Sequence, residues 1–368
     1  MKNIVFLTTV NHNVGDDFIR EGIVYLLKDV VGEFDQILIH KHEPVRPGPG
    51  LFKLKGLREI WKISRKGHVE RYFDRLFKAD AIIQAGAPVY WLSDAHNSSM
   101  AEWAKLFWHD RVSKIYLEKP VLNLAAGSCF GLQVKIKTVL QHGELTNFIR
   151  DIHRLCRVTT VRDALSKEIL DGLELKTDLI PCTSIFARDL FFVGPKPPEF
   201  FVMNYMKLAG HYALELKFDP DVWVGKVLEV YHAAKKFYPV KFICHNMQEI
   251  RDTQDIGISR EEIFYSQDYR DYIEMYSKGV GGFLNRVHGA MMLASFGRKS
   301  FVVGNDTRIL MASLIGIPVV PVSEMMKIDT RSVVDSVLKE QNSFVEAMKV
   351  VREQAANSYR RILRESLR

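Results

Sequence analysis

The segment between Gly279 and Val322 alternates strand-like and helix-like patterns, and this alternation limits the folds that the chain can adopt. Short apolar runs (GVGGFL, SFVVG and PVVPV) predict three buried strands, and the runs between them (AMMLASF and ILMASLI) predict two helices. Gly297 and Gly316 follow the helical runs, where a glycine commonly ends a helix. This order of elements predicts parallel strands in an open α/β sheet.

Polar residues stand at the start of both predicted helices. Arg286 and His288 begin the first, and Asn305 and Arg308 open the second. Each helix begins where a buried strand ends, which is the edge at which ligands bind in open α/β sheets. Helix N-termini attract anions, arginine adds a forked donor suited to carboxylate or phosphate, and histidine exchanges protons near neutral pH. We therefore predict an anion-binding site with its own acid/base group.

The same alternation extends over the whole chain. Strand-like runs separated by helical patterns recur in the first half (NIVFLTTV, QILIH, AIIQAG, VLNLAAG, RVTTV, LIP) and in the second (FFVMNYM, VKFICHN). A stiff segment, Gly194–Pro198, separates the halves. We predict an α/β protein with two Rossmann-like domains, residues 1–190 and 199–341, whose parallel sheets face each other across a cleft. The last residues, 342–368, form a predicted helix that packs back on the first domain.

Length and composition exclude several classes of protein. A chain of 368 residues, 47% hydrophobic and 26% charged, is typical of a folded protein with about two domains. The net charge of +7 favours an anionic partner, but the basic residues are dispersed and we expect no nucleic-acid binding. The four cysteines show no CxxC spacing, so we expect no metal site and a reducing compartment. No apolar run is long enough for a signal peptide or a membrane span, so we expect a cytoplasmic protein.

Polar residues also follow the first strand, where Asn13, Asp16 and Asp17 begin a helical pattern. Gly15 allows a tight turn, and Asp16 is a natural helix cap. A purely structural turn between strand and helix explains these residues as well as a ligand site does. The glycine spacing of dinucleotide-binding loops, GxGxxG, is absent, so NAD chemistry is disfavoured.

Two further strand ends carry candidate residues. Arg162 and Asp163 follow RVTTV, and we expect Asp163 to cap the next helix while Arg162 points into the cleft. A surface arginine paired with its neighbour is the alternative. Gly86 follows AIIQ, and Tyr90 and Trp91 come soon after. Aromatic faces beside a small-residue loop suit sugar rings, although aromatic side chains at such positions more often belong to the core.

Two other polar segments allow a simpler interpretation. His245 ends the run VKFIC and the residues after it add Asp252 and Asp255, but the spacing matches no metal signature and we favour a solvated loop. Lys53–Lys66 carries six basic residues among apolar ones at helical spacing, a pattern typical of interfacial helices. Contact with an anionic membrane surface is one interpretation of this segment, and a solvated surface helix is the slightly favoured one.

Taken in order, these motifs resemble the polysaccharide pyruvyl transferase family. The resemblance rests on NVGDD at the first turn, the small-residue loop after AIIQ, VRDALS, and RVHGAMMLASFG followed by GNDTRILMASLIGIP. It covers nearly the whole chain and is most specific near the end of the second domain. It implies a fold similar to that of glycosyltransferases of the two-Rossmann (GT-B) type. Members of the family transfer the enolpyruvyl unit of phosphoenolpyruvate to a sugar, commonly as a ketal that bridges two hydroxyls.

The resemblance also implies roles for the matched residues. Arg286 and His288 match the family's donor-site arginine and acid/base histidine, and Arg162 matches a second arginine for the donor's anionic groups. Arg308 stands where the family usually has lysine. In the second domain and at the end of RVTTV, the expected donor-binding residues are Arg162, Arg286, Gly289, Asn305 and Arg308. In the first domain, the expected acceptor-binding residues are Asn13, Asp16, Asp17, Gly86, Tyr90 and Trp91.

The sequence departs from the family pattern mainly on the acceptor side. The usual glycine run is Gln84–Ala87 here, and Pro181–Ser184 replaces a stretch that usually contains an aspartate. We expect an enzyme without cofactor or metal that uses phosphoenolpyruvate as donor and a sugar or lipid-linked glycan as acceptor, in the cytoplasm or at the inner membrane face. A GT-B glycosyltransferase that uses a nucleotide sugar and a non-catalytic sugar- or anion-binding relative are the alternative interpretations.

Overall fold

The structure is a computed structural model that describes residues 1–9, 13–40, 75, 77–86, 88–91, 118–210, 218–339 and 341–367. The predicted interfacial segment Lys53–Lys66 lies outside these residues. In the part of the chain that is described, no helix combines the length and the apolar character needed to cross a bilayer.

The first half forms a seven-stranded sheet. Its strands are β1 (Lys2–Thr8), β2 (Phe34–His40), β3 (Ala81–Ala85), β4 (Pro88–Trp91), β5 (Val121–Cys129), β6 (Val158–Val161) and β7 (Asp178–Leu179). The helices described with it are α1 (Val14–Val31), α2 (Ile136–Gln141), α3 (Gly143–Leu155), α4 (Ala164–Gly172) and α5 (Ala187–Leu190). The strand order is β2-β1-β3-β5-β6-β7, with β4 paired to β5, and the paired strands run parallel.

The second half forms a six-stranded parallel sheet in the order β10-β9-β8-β11-β12-β13. Its strands are β8 (Phe200–Met203), β9 (Val240–Ile243), β10 (Ile263–Phe264), β11 (Gly279–Leu284), β12 (Ser300–Gly304) and β13 (Val319–Pro321). The helices are α6 (Pro220–Ala234), α7 (Met247–Asp255), α8 (Tyr269–Ser277), α9 (Val287–Ser295), α10 (Leu310–Ser313), α11 (Val322–Met325), α12 (Thr330–Lys339) and α13 (Gln341–Ser366).

The predicted α/β class with two parallel, Rossmann-like sheets is confirmed. Strands β5 and β11 are buried along their whole length, as expected for parallel strands covered on both faces. The short strands β4 and β10 add to the predicted set. The segment between β7 and β8 contains residues 191–198, where the sequence predicts the domain boundary.

The two halves pack on one continuous apolar core that includes Phe18 of α1 and Met291 of α9. Helix α13 lies against the first half, where Arg360 pairs with Asp29 of α1 at 2.6 Å. The hydroxyl of Tyr359, also on α13, donates to the carbonyl oxygen of Pro181 at 3.2 Å. The last helix therefore ties the second half to the first.

The loops after β5 and β12 also meet across the two halves. The backbone N–H of Phe130 donates to Thr307 Oγ1 at 3.0 Å, and the N–H of Thr307 donates to the carbonyl oxygen of Phe130 at 2.9 Å. Gly131 and Asp306 form an antiparallel bridge beside this contact. These bonds hold the carboxyl ends of the two sheets face to face.

Gly22→Ala tests the packing of α1 against the segment before α5. A Cβ at Gly22 would lie 1.8 Å from the backbone oxygen of Thr183, which cannot move as a side chain would. We expect the variant to lower the free energy of unfolding by about 1–3 kcal/mol or more, measured by denaturant titration. The control is Gly225→Ala in the exposed part of α6, where a Cβ meets nothing within 4 Å. It should raise stability by about 0.5–1 kcal/mol, and equal effects at both glycines would contradict the packing argument.

Candidate active site

One cavity lies where the carboxyl ends of strands from both sheets face each other. It has a volume of about 60 Å³ and brings together the four residues with the clearest predicted roles, which are Arg162, Arg286, His288 and Arg308. The other polar residues of its wall are Asn13, Asp16, His245, Asn285 and Asp306. Met206, Val287 and Ile309 give it a partly apolar side.

Arg162 brings a buried positive charge from the first sheet to the cavity. It directly follows β6 and is 1% exposed. Its Nη1 lies 3.4 Å from His288 Nε2 and 3.8 Å from Cys182 Sγ. Asp163 caps α4 by accepting from the N–H of Ser166 at 2.8 Å, as the sequence predicts. Within the described ranges Arg162 forms no ion pair, so its charge remains available to an anion.

His288 lies between the two halves of the protein. Arginine can only donate, so the contact with Arg162 makes Nε2 an acceptor and places the ring proton on Nδ1. Gly15, in the first turn of α1, gives the ring its space, because a Cβ there would lie 2.4 Å from His288 Nδ1. Burial, followed by the positive charge of Arg162 and the other cations nearby, holds the pKa of His288 well below its usual 6.5. The ring is therefore neutral at pH 7.

Arg286 precedes α9 and is held by a carboxylate. Its Nε donates to Glu249 Oε1 at 2.7 Å, and its Nη2 contacts the same oxygen. Its backbone N–H donates to Asn204 Oδ1 at 3.0 Å. Arg286 makes no side-chain cap for α9, so the first turn of this nine-residue helix adds its dipole to the charge of the arginine.

The helix that contains Arg308 is shorter than the sequence predicts. Thr307–Ile309 form a 3₁₀ turn, and the α-helix after it, α10, has only four residues. Asp306 accepts from the Arg308 backbone N–H at 3.0 Å and from its Nε at 2.8 Å. The predicted helix N-terminus is thus occupied by the protein's own carboxylate, and Arg308 and Asp306 both reach the cavity wall.

The prediction of a solvated loop after His245 is wrong. The segment forms α7, with Asn246 as its N-cap. Glu249 stands three residues after that cap, and this capping-box spacing is the signal that indicates a helix. His245 is 8% exposed, lines the cavity, and places its Nε2 2.9 Å from Tyr276 Oη. Burial lowers the pKa of His245 to about 4, so this second cavity histidine is also neutral.

Two of the three polar residues predicted at the first turn reach the cavity. Asn13 and Asp16 line it. Asn13, rather than Asp16, caps α1, because its Oδ1 accepts from the N–H of Gly15 at 3.0 Å. Asp17 is not part of the cavity wall and pairs with Arg20 of the same helix at 2.6 Å. A helix turn cannot direct adjacent carboxylates to one face, which explains the difference between Asp16 and Asp17.

The aromatic residues after β3 lie outside the cavity wall. Tyr90 is 1% exposed and belongs to the apolar core of the first sheet, and Trp91 is half-buried on β4. Gly86 has φ +43°, and a Cβ there would lie 2.3 Å from Ile19 Cγ2, so packing against α1 explains this glycine. For Tyr90 the structure supports the core interpretation, which the sequence left open.

Two predicted donor-binding residues serve the fold beside the cavity. A Cβ at Gly289 would lie 2.5 Å from Tyr276 Oη, so the glycine admits this hydroxyl next to α9. Asn305 is buried, and its Nδ2 donates to the carbonyl oxygen of Leu208 at 2.7 Å. Neither residue belongs to the cavity wall in the described structure.

Comparison with solved structures identifies the class of fold. A putative UDP-N-acetylglucosamine 2-epimerase from Listeria monocytogenes matches with a TM-score of 0.53 and 12% identity over 95% of this chain and 90% of that chain. The S. aureus MnaA-UDP co-structure matches with a TM-score of 0.51 and 14% identity over 95% of this chain and 90% of that chain. The UDP-GlcNAc 2-epimerase from Neisseria meningitidis matches with a TM-score of 0.50 and 13% identity over 100% of this chain and 99% of that chain. At these identities the likeness shows the fold alone, which is the predicted two-Rossmann, GT-B-like arrangement.

The family follows from a comparison with family profiles. The profile of the polysaccharide pyruvyl transferase family matches residues 13–307, which include Arg162, Arg286 and His288. The chain therefore belongs to the polysaccharide pyruvyl transferase family, and the resemblance noted in the motifs is confirmed. A search of curated proteins found no significant match.

His245→Gln tests the neutral, buried state of this histidine, which is surrounded by Tyr276, Glu249 and Arg286. An unfolded histidine takes up a proton near pH 6.5, whereas folded His245 does so only near its pKa of about 4. Its contribution to stability is complete above pH 6.5 and is lost as the pH falls towards 4, with a loss of about 2 kcal/mol by pH 5. Between pH 7 and pH 5, denaturant unfolding should show about 2 kcal/mol less destabilisation in His245→Gln than in the unaltered protein.

The matched control for this measurement is His232→Gln, which changes an exposed histidine on α6. It should follow the pH profile of the unaltered protein. An identical profile for His245→Gln would show that burial does not keep His245 neutral.

Proposed function

We propose that the protein transfers the enolpyruvyl unit of phosphoenolpyruvate to a sugar of a polysaccharide or glycan precursor, forming a pyruvate ketal and releasing phosphate. The supporting observation is the convergence of Arg162, Arg286, Arg308 and His288 on one cavity in a member of this family. Phosphoenolpyruvate carries a carboxylate and a phosphate on a three-carbon unit. A site for it needs cations on more than one side, and the three guanidinium groups come from both sheets.

The size of the cavity favours a small anion over a nucleotide sugar. Pockets for larger organic ligands usually measure about 300–1,000 Å³. The cavity bounded by the described residues measures about 60 Å³. Its apolar side, formed by Met206, Val287 and Ile309, suits the methylene end of phosphoenolpyruvate.

The charges around His288 favour an order of events in which donor binding precedes protonation of the histidine. A bound dianion would offset the arginines and raise the pKa of His288, so that the ring becomes protonated. His288 would then give its proton to C3 of phosphoenolpyruvate while an acceptor hydroxyl oxygen forms a bond to C2 and passes its proton back to the histidine. In the second step another hydroxyl oxygen bonds to C2, the C2–O bond to phosphate breaks, and phosphate leaves with the second hydroxyl proton. The arginines would stabilise the departing phosphate.

The acceptor would enter from the first half of the protein. Asn13 and Asp16 are the predicted acceptor residues that line the cavity, and both offer side-chain oxygens to sugar hydroxyls. A lipid-linked glycan would bring the reaction to the inner membrane face, with Lys53–Lys66 as the proposed contact. In this reaction scheme the protein would act in the cytoplasm and need no cofactor beyond the donor substrate.

His288→Ala tests the acid/base role. We expect phosphate release from phosphoenolpyruvate, assayed with a panel of hexose glycosides as acceptors, to fall by on the order of a hundredfold or more. Binding of phosphoenolpyruvate in calorimetry should be largely retained, since the arginines remain. His232→Ala, at an exposed position on α6, is the control and should leave turnover unchanged. Near-normal turnover in His288→Ala would remove the histidine from the proton transfer.

Calorimetric titration with phosphoenolpyruvate tests the donor site. Arg162→Gln and Arg286→Ala should each weaken binding by about tenfold or more, because each removes a charged hydrogen-bond donor. Arg298→Gln is the control, since Arg298 follows the other end of α9 and its Nη2 donates to the carbonyl oxygen of Lys196. Donor affinity that is unchanged in both site variants would exclude these arginines from the donor site.

The same titration with UDP-, GDP- and CMP-sugars tests the competing enzyme class. We expect no binding of these nucleotide sugars, because the cavity bounded by the described residues is smaller than the usual pockets for organic ligands of their size. Binding of a nucleotide sugar together with no binding of phosphoenolpyruvate would retain the fold assignment and contradict the proposed reaction.

A further inference from the structure

Glu249 is a buried carboxylate next to the cavity, and neither the sequence motifs nor the family resemblance assigns it to the site. It lies on α7 and is 2% exposed. Its Oε1 accepts from Arg286 Nε at 2.7 Å, from Arg286 Nη2, and from Asn246 Nδ2 at 2.9 Å. Its Oε2 accepts from Asn204 Nδ2 and from the backbone N–H of His245, both at 2.9 Å. Both oxygens are therefore fully engaged.

Every contact to this carboxylate comes from a donor, which restricts the residue that can stand here. Arg286 and Asn246 donate to one oxygen, and Asn204 and His245 donate to the other. An ionised carboxylate accepts on both sides, whereas the amide of glutamine carries an NH₂ group on one side and would oppose donors in either orientation. Burial tends to raise the pKa of Glu249, but the charge of Arg286 and the hydrogen bonds outweigh it and lower the pKa.

We propose that Glu249 is a positioning residue that fixes the direction in which Arg286 presents its guanidinium group to the bound anion. The guanidinium is planar, so a carboxylate that holds the Nε and Nη2 edge also sets the direction of the remaining N–H groups. The two donors to Glu249 Oε2 hold the carboxylate in place, because Asn204 follows β8 and His245 follows β9. Glu249 thus ties Arg286, at the end of β11, to the ends of two neighbouring strands.

A structural role alone gives a weaker account of this arrangement. A buried ion pair contributes little net stability, because desolvation of both charges offsets their attraction. What it does supply is a fixed geometry for a charged donor, which an anion site needs before the ligand arrives. Arg286 lines the cavity while Glu249 lies behind it, so the carboxylate acts on the ligand only through the arginine.

The inference rests on the proposed function for the identity of the anion, and inorganic phosphate provides an independent probe. Phosphate is the leaving group of the proposed reaction and carries the charge that Arg286 would contact. Calorimetry with inorganic phosphate therefore measures the positioning of Arg286 without turnover, and calorimetry with phosphoenolpyruvate measures it for the proposed donor.

Glu249→Gln is the first test. We expect the affinity for inorganic phosphate and for phosphoenolpyruvate to fall by about tenfold or more, and turnover to fall with it, while thermal unfolding shows a folded protein. Glu262→Gln is the matched control, because Glu262 also accepts from a cation and a hydroxyl, Lys235 Nζ and Tyr231 Oη, outside the cavity wall. It should leave both affinities unchanged. A folded Glu249→Gln variant that binds phosphate normally overturns the inference.

The phosphate affinity of the double variant Glu249→Gln/Arg286→Gln distinguishes a positioning role of Glu249 from general structural support. If Glu249 acts through Arg286, the double variant binds phosphate no more weakly than Arg286→Gln alone. It removes both charges together and leaves no unpaired buried charge, so the inference can still be overturned where Glu249→Gln does not fold. A further loss of affinity beyond that of Arg286→Gln overturns the inference.

The outcomes also separate this inference from the proposed function. Non-additive losses of phosphate affinity in a protein that neither binds nor turns over phosphoenolpyruvate support the positioning role and contradict the proposed reaction. Normal turnover of phosphoenolpyruvate in Glu249→Gln, together with low turnover in Arg286→Gln, supports the reaction and contradicts the positioning role.

Discussion

The approach of Arg162 to His288 is the contact on which the site depends, because it joins the two sheets at their carboxyl ends. Arg162 directly follows β6 of the first sheet, and His288 lies in the first turn of α9 in the second half. Arg162 Nη1 lies 3.4 Å from His288 Nε2. Two glycines make room for this contact. A Cβ at Gly15 would lie 2.4 Å from the histidine ring, and one at Gly127 would lie 2.7 Å from Arg162 Nε. The absence of a side chain at Gly15 and Gly127 is therefore as necessary to the site as its polar groups.

The partners of Asp163 explain why Arg162 keeps its charge without an ion pair. Asp163 adjoins Arg162 in sequence, yet its Oδ1 accepts from the N–H of Ser166 at 2.8 Å and from Ser128 Oγ at 3.0 Å, and its Oδ2 accepts from the N–H of Ser128 at 3.0 Å. Ser128 Oγ in turn lies 3.0 Å from Thr307 Oγ1 of the other half. The carboxylate that could neutralise the arginine is instead used to cap a helix and to join the two halves. The alternative of an arginine paired with its neighbour is therefore wrong.

The sequence could predict whatever depends on short stretches of chain. Apolar runs that alternate with helical patterns predict the two sheets. Arg162 and Arg286 are recognisable as site candidates because each stands within two residues of the end of a predicted strand. Glu249 could not be found in this way, because it contacts Arg286 across 37 residues and no local pattern connects the two. Tyr90 shows the opposite error, since its position after a strand suits a ligand contact but the core of the first sheet takes up its side chain. The positions of both side chains depend on packing between segments that are distant in the sequence.

The charges of the cavity act on His288 in the opposite direction to their action on an anion. The arginines attract a carboxylate or a phosphate, and together with burial they also suppress the protonated form of the histidine. Glu249 and Asp306 offset two of the three arginines, which limits this cost. Among the described residues, Arg162, whose Nη1 contacts the histidine ring, has no such carboxylate partner. An anion placed beside Arg162 therefore changes the balance at His288 more directly than one held by Arg286 or Arg308. In the proposed reaction, the acid form would become available only after the donor has bound, because the donor itself adds negative charge beside Arg162.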